Sequence, residues 1–421
     1  MIAARRQVLA VMACLPWFGA RAAPVRAASG KVVIVGGGWA GLAAAARLRQ
    51  AAPGLEVTLI ERQPRFFSLP LSNRWLAGTL DPALLWRDYP SAAARHGYRF
   101  LRAGVTAIDR ERRSVHAGDE RLPYDWLVLA CGIRHHYGAW CDEHAAAART
   151  MAERFGAAWC RGAEVQSLQQ RIETFPGGDW LMILPPGPSR CPPAPYERAL
   201  AIAHRFRQRG IKARVILLDP GPGALGFRDL FARQHADMIT HVAHAEVRSV
   251  DPWKQVVATE FDEYRFDDAI LMPPQQAGDL VWQAGLIGRT AERLPTGWAA
   301  QHPTHLHALD DERVFLVGDL IGPASPLFGH YSKTAHVAVG LGAIAAGEIA
   351  ARAQGEQAEL RLPESLCQVV TAIDPPAALR IETAYRLRGD GVITQQVKQQ
   401  RDPQPRGEDL AWLHGQLAAL F

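Results

Sequence analysis

Two sets of residues in this 421-residue chain have the types and spacing to do chemistry. The first is Gly36-Gly37-Gly38-Trp39-Ala40-Gly41, a G-x-G-x-x-G pattern. Gly36 permits a tight turn, Gly38 lets the backbone approach a pyrophosphate, and Gly41 lets a helix pack closely on a strand. Glu61, an acid about 20 residues on, is placed to take the ribose hydroxyls of an adenosine. The second set is the cysteines. Cys14 lies in the N-terminal leader, which leaves Cys131, Cys141, Cys160, Cys191 and Cys367. An odd count leaves at least one thiol free, and their spacing gives no pairing. No C-x-x-C-H occurs, so this chain attaches no c-type haem.

The glycine pattern takes its meaning from the elements around it. Residues 31–35 are a short apolar, β-branched run that predicts a buried parallel strand, and residues 42–48 are good helix formers. A second strand over 56–60 ends at Glu61. Residues 121–132 predict a polar lead-in, a buried strand and a small-residue turn at Gly132. A second β-α-β unit follows: a strand over 180–184, an amphipathic helix over 196–209 with Ala199, Leu200, Ile202, Ala203 and Phe206 on one face, and a strand over 214–219. The turn between its first strand and its helix, residues 185–195, has no G-x-G-x-x-G. Its prolines lack the N–H groups a pyrophosphate needs. This predicts a nucleotide site given up, with Cys191 in its place just before a helix N-terminus, a setting that stabilises a thiolate.

The strand over 313–317 ends in Gly318-Asp319, where an aspartate binds the ribityl chain or pyrophosphate edge of a flavin dinucleotide. The helix predicted over 333–352 aims its N-terminus at the flavin ring, with Lys333 adding charge there. The fold class expected is α/β, with two Rossmann-like dinucleotide-binding domains. An FAD-binding domain comprises residues 29–145 and 290–355, a second, degenerate nucleotide-binding-like domain 146–289, and a C-terminal domain 356–421. The tail reads as irregular until a short apolar-rich helix over 409–421, expected to dock on the body or on a partner.

Residues 1–28, with Arg5-Arg6 before an apolar run over 8–20 and a small-residue site at Ala20-Arg21-Ala22, read as a twin-arginine export signal and place the mature protein in the periplasm. No other segment is long and apolar enough for an integral membrane span. The formal charge of +5 rests on arginine, with five lysines and no basic run, which argues against a nucleic-acid partner. His302, His305 and His307 lack companion ligands at metal-binding spacing, so no metal is expected. Cys131 reads as a packed small residue, Cys141 and Cys160 as a possible structural disulfide, and His135, His136 and His330 as possible neighbours of the flavin.

Cys191-Pro-Pro-Ala-Pro-Tyr-Glu-Arg-Ala resembles the Cys-Pro-Pro-Gly-Pro-Tyr-Glu-Arg-Ala segment of the flavoprotein subunit of flavocytochrome c sulfide dehydrogenase. Further similar segments follow in order: Leu71-Ser72-Asn73, residues 273–278, Gly318-Asp319, Tyr331-Ser332-Lys333 and the region of Cys367. The resemblance covers nearly the whole mature chain. It implies a glutathione-reductase-like fold with a C-terminal interface domain. It also implies a redox disulfide between Cys191 and Cys367 beside the flavin, and Glu197 as an acid/base. Sulfide is a soft nucleophile that attacks a disulfide sulfur, giving a persulfide and a thiolate whose electrons pass to FAD. The family hands them on to a di-haem cytochrome c, here necessarily a separate chain. Members with covalent FAD carry a cysteine where this sequence has Leu69, so non-covalent FAD is expected. The rival readings are a sulfide:quinone reductase, a type II NADH dehydrogenase, and a flavin redox-sensing subunit without turnover.

Overall fold

The computed structural model describes residues 29–224 and 226–421; the export-signal reading of residues 1–28, with Cys14, lies outside the described residues. The chain begins with β1 (Gly30–Val35), turns at the glycines into α1 (Trp39–Ala51), and returns as β2 (Leu55–Glu61), parallel to β1. β3 (Arg99–Arg102) adds to the far side of β2, and β4 (Trp126–Leu129) to the free side of β1. Val32 to Val35 and Leu127 to Leu129 are all buried, as the strands of a parallel sheet covered on both faces must be.

A second sheet follows. β5 (Gly178–Ile183) leads through the proline turn into α2 (Ala194–Gln208) and then β6 (Ala213–Leu218), β7 (Ile239–Val242) and β8 (Asp268–Leu271). All four strands are parallel, in the order β7-β6-β5-β8. The chain then goes back to the first sheet as β9 (Asp311–Leu316), parallel to β4, with the short strand His307–Ala308 antiparallel at the edge, completing six strands. α3 (Ala335–Gln354) packs across α1. Each sheet has its own apolar core. The architecture is therefore α/β with two Rossmann-like units, as the strand periodicity predicts.

The tail departs from expectation. Instead of irregular chain it forms a three-stranded antiparallel sheet, β10 (Glu364–Ile373), β11 (Pro376–Leu387) and β12 (Ile393–Asp402). β12 is exposed at seven consecutive residues, 395–401, or nearly so along both faces, and hence shows no apolar alternation. It is held by its backbone ladder to β11 rather than by an apolar stripe. α4 (Glu408–Leu420) then docks on the body, burying Leu413, Leu417 and Leu420 in the core of the first sheet. Among the described residues no helix is long and apolar enough to cross a membrane.

Candidate active site

The predicted redox residues and all the predicted cofactor residues but Gly41 line one cavity of about 930 Å³. At one end stands the glycine turn. A Cβ on Gly41 would lie 1.9 Å from the Gly36 carbonyl oxygen, so only glycine lets α1 start this close to β1. In front of Gly38 nothing lies within 4 Å, which leaves its backbone open to a ligand. The first turn of α1 carries no acidic side chain, so its N–H groups and helix dipole favour an anion there. Glu61 ends β2 on the cavity wall; its carboxylate accepts the Gly37 and Gln63 N–H groups, both at 2.8 Å. Gly132, Gly318, Asp319 and Lys333 line the same space. An open pyrophosphate cradle at a helix N-terminus, an adenosine-side acid and a chamber leading on to two cysteines fit FAD.

Lys333 is turned differently from expectation. Its ammonium donates to the carbonyls of Asp319 (2.8 Å) and Ile321 (2.9 Å) and lies 3.9 Å from the centre of the Trp298 ring. Burial pushes its pKa down to about 7, against the pull of Asp319. The helix proper begins two residues later, capped by Thr334.

The other end of the cavity holds sulfur. Cys191 occupies a left-handed backbone position, φ 44°, within the proline turn, and its N–H donates to the Lys333 carbonyl at 2.9 Å. Cys367 sits on β10, opposite Ile381 of β11. Two hydrogen bonds lay β10 across the site: the Leu366 N–H donates to His336 Nδ1 at 2.7 Å, and the Val370 N–H donates to Glu197. The result sets the Cys191 and Cys367 side chains beside each other on the cavity wall. The neighbouring Cys191 side chain, followed by burial, holds the Cys367 thiol well above its ordinary pKa. Glu197, in the first turn of α2, is a third member of the group. Burial raises its carboxyl to about 8, although the Val370 N–H and the Asn73 side chain both favour the anion.

Several residues that sequence reasoning did not single out build this end. Asn73 donates to the Ala194 carbonyl at 3.0 Å and accepts from Arg198 Nε at 3.0 Å. Arg198, fully buried, also donates to the Ala157 and Ala158 carbonyls and stacks 4.1 Å from the Trp159 ring centre. Cys160 and Cys131 line the cavity too. Cys160 does not pair with Cys141: its sulfur lies 3.8 Å from His135 Nδ1, whereas that of Cys141 faces the Tyr137 and His144 carbonyls. The three histidines 302, 305 and 307 do cluster, with ring centres 4.7 to 6.2 Å apart, and His305 is bonded to Glu348. Among the described residues no group of three or more side chains is arranged to hold a metal ion.

The second sheet offers no matching cradle. The Arg190 and Cys191 N–H groups of its turn are taken by Gln275 Oε1 (2.7 Å) and the Lys333 carbonyl. Asp219, the residue after β6, stands in the place that Glu61 takes at the end of β2; it is buried and bonded to Tyr196, to His241 Nε2 at 2.9 Å and to the Gly221 N–H at 2.8 Å. The acid that could hold a second adenosine is closed off by the chain itself.

A doubly wound pair of sheets, one with an open dinucleotide cradle and one without, meeting at a cysteine pair, defines a flavoprotein of the disulfide-oxidoreductase type. Residues 30–146 match the family model of the pyridine nucleotide-disulphide oxidoreductases. Residues 165–273 match the central region of the sulfide dehydrogenase [flavocytochrome c] flavoprotein chain. A sulfide-quinone reductase of Aquifex aeolicus is 28% identical over 279 residues, a stretch that spans 60% of each chain. A type II NADH:quinone oxidoreductase of Staphylococcus haemolyticus is 31% identical over 105 residues, 24% of this chain and 26% of that one. The solved structure of the sulfide:quinone oxidoreductase from Aquifex aeolicus superposes with a TM-score of 0.71 at 20% identity, covering 93% of this chain and 91% of the other.

Proposed function

We propose that the protein oxidises sulfide, or a related small sulfur compound, at Cys191 and Cys367 and delivers the electrons to non-covalently held FAD. The observation that carries this reading is the placement of the two cysteine side chains beside each other in the cavity that also holds the dinucleotide cradle, with Glu197 beside them. In the oxidised enzyme hydrosulfide attacks one sulfur of the Cys191–Cys367 bond. That bond breaks, one cysteine carries the persulfide and the other leaves as thiolate. A second sulfide removes the outer sulfur as a disulfane anion, and re-forming the Cys191–Cys367 bond releases two electrons. FAD supplies two-electron storage beside the pair. Glu197, protonated at neutral pH, gives a proton to the departing thiolate and regains one from the incoming hydrosulfide.

For the acceptor we favour a c-type cytochrome on a separate chain, the reading supported by the likeness of residues 165–273 to a flavocytochrome c subunit. Leu413, Leu417 and Leu420 of α4 are committed to the body rather than offered to a bilayer. Quinone is the second reading, favoured by the sulfide-quinone reductase relative. On the Arg5-Arg6 start we place the reaction in the periplasm. The test is anaerobic titration of the flavin band with sulfide and, separately, NADH. Bleaching by sulfide and not NADH, abolished in Cys191→Ser and Cys367→Ser that retain FAD, supports the reading; bleaching by NADH, or none by sulfide, defeats it. Turnover with a soluble cytochrome c or with a short-chain quinone then decides the acceptor.

A further inference from the structure

Arg190, next to Cys191, reaches from the Cys191 turn to the Gly318-Asp319 turn of the cofactor site. Its Nε lies 2.5 Å from Asp319 Oδ2, with both side chains largely buried. Its Nη1 donates to the Trp159 carbonyl at 2.6 Å, and the Trp159 indole N–H donates back to the Arg190 carbonyl at 3.3 Å. Its Nη2 reaches the back of the Gly132 turn, where a Cβ would meet it at 3.2 Å, and Cys160 lines the same part of the cavity. The backbone of Arg190 is pinned as well, its N–H to Gln275 and its strand bridge to Lys333. One planar guanidinium therefore joins the Asp319 turn, the Trp159-Cys160 loop and the Cys191 turn. A lysine, a point charge without the planar fork, cannot hold these partners in the same fixed geometry.

We propose that Arg190 is a positioning residue that locks the Gly318-Asp319 turn of the cofactor site to the Cys191 turn, so that retention of FAD and alignment of Cys191 depend on the same ion pair. The two turns come from different sheets, β5 and β9, and the Arg190–Asp319 ion pair joins them directly, beside the Lys333 backbone that pairs with Arg190 and Cys191. Breaking a buried pair leaves the remaining charge uncompensated, so loss of either partner disturbs both turns. The proposal rests on FAD occupying the cradle described above.

The test uses purified holoenzyme of wild type, Arg190→Met, Arg190→Lys, Asp319→Asn and the double variant Arg190→Met/Asp319→Asn. FAD release is followed on dilution by the rise of flavin fluorescence. Alkylation of Cys191 and Cys141 in the reduced protein is followed by peptide mass spectrometry. Arg190→Met and Asp319→Asn are each expected to release FAD roughly tenfold faster or more and to alkylate Cys191 faster by a similar factor, with Cys141 unchanged. Arg190→Lys falls between. Because the pair acts as a unit, the double variant is expected to be no worse than the worse single variant. Wild-type FAD release and Cys191 alkylation in Arg190→Met, effects that multiply in the double variant, or Cys141 rising in step with Cys191 would overturn the proposal. A wild-type enzyme that purifies without flavin defeats both the cofactor reading and the lock.

Discussion

The Glu197 carboxylate accepts the backbone N–H of Val370, three residues along β10 from Cys367. One group thus both fastens the strand that carries a redox cysteine and stands beside it as a titratable acid. Burial raises its pKa to about 8, so it is protonated at neutral pH and can donate. Sulfide-driven flavin reduction is expected to fall on a limb centred near pH 8. Glu197→Gln, which keeps an oxygen for Val370, should remove that limb and slow reduction by on the order of 10². Stopped-flow traces across pH 6 to about 9.5 check this; an unchanged limb assigns it to another group. For stability the sign is the opposite of a salt-bridged acid. Between about 4.5 and about 8 the folded state holds a proton the unfolded chain has lost, so folding weakens as pH rises through that window.

The two glycines of the cradle do different work, and substitution separates them. Gly41→Ala drives a Cβ to 1.9 Å from the Gly36 carbonyl oxygen and must push α1 off β1. It is expected to lower the melting temperature even without cofactor. Gly38→Ala adds a methyl group into open space, so the apoprotein should melt as wild type does while FAD affinity falls about tenfold or more through lost backbone approach. Calorimetry of apoprotein and flavin-fluorescence titration read the two effects.

Lys333 is buried with its ammonium on two carbonyls and over an indole. Burial dominates and lowers its pKa to about 7 from 10.5. Between those values the unfolded chain binds the proton more readily than the folded one, so this residue's contribution rises with pH and is lost as pH falls toward 7. The stability difference between wild type and Lys333→Met should therefore shift in favour of wild type from pH 7 to about 10, by chemical denaturation. A difference flat with pH would show that the two carbonyls and Trp298 keep the ammonium charged throughout.

How much of this was legible depended on whether a residue's role lies in its neighbours along the chain or across it. The strands at 31–35 and 180–184 announce themselves as unbroken apolar runs, and the glycine turn is defined by spacing, so the sheets and cradle could be read directly. The proline turn at 185–195 was informative through what it lacks. Cys367 was reachable only by resemblance, because β10 carries no signature, and the sheet holding it was missed since β12 buries too little to alternate. Arg190 and Arg198 could not be told from the other arginines of an arginine-rich chain. Their partners, Asp319 and the carbonyls at 157–158, are 129 and 40 to 41 residues away. For Arg190 the adjacency to Cys191 was the one available signal.

The Tyr196-Asp219-His241 network closes the second adenosine position, and its removal should not reopen it. Hydrogen bonds from His241, Tyr196 and Gly221 hold the Asp219 carboxyl below its ordinary pKa, outweighing burial. Its contribution is present above the unfolded carboxylate's pKa and is lost as pH falls through the lower folded value. Asp219→Asn keeps the shape but removes the charge. It should cost about 1–3 kcal/mol at neutral pH, less in acid, and lower the melting temperature by a few degrees. Because the Arg190 and Cys191 N–H groups remain committed to Gln275 and Lys333, this variant should still leave the flavin unbleached by NADH. Reduction by NADH in Asp219→Asn would mean that the acid network, and not the turn, keeps the nicotinamide dinucleotide out.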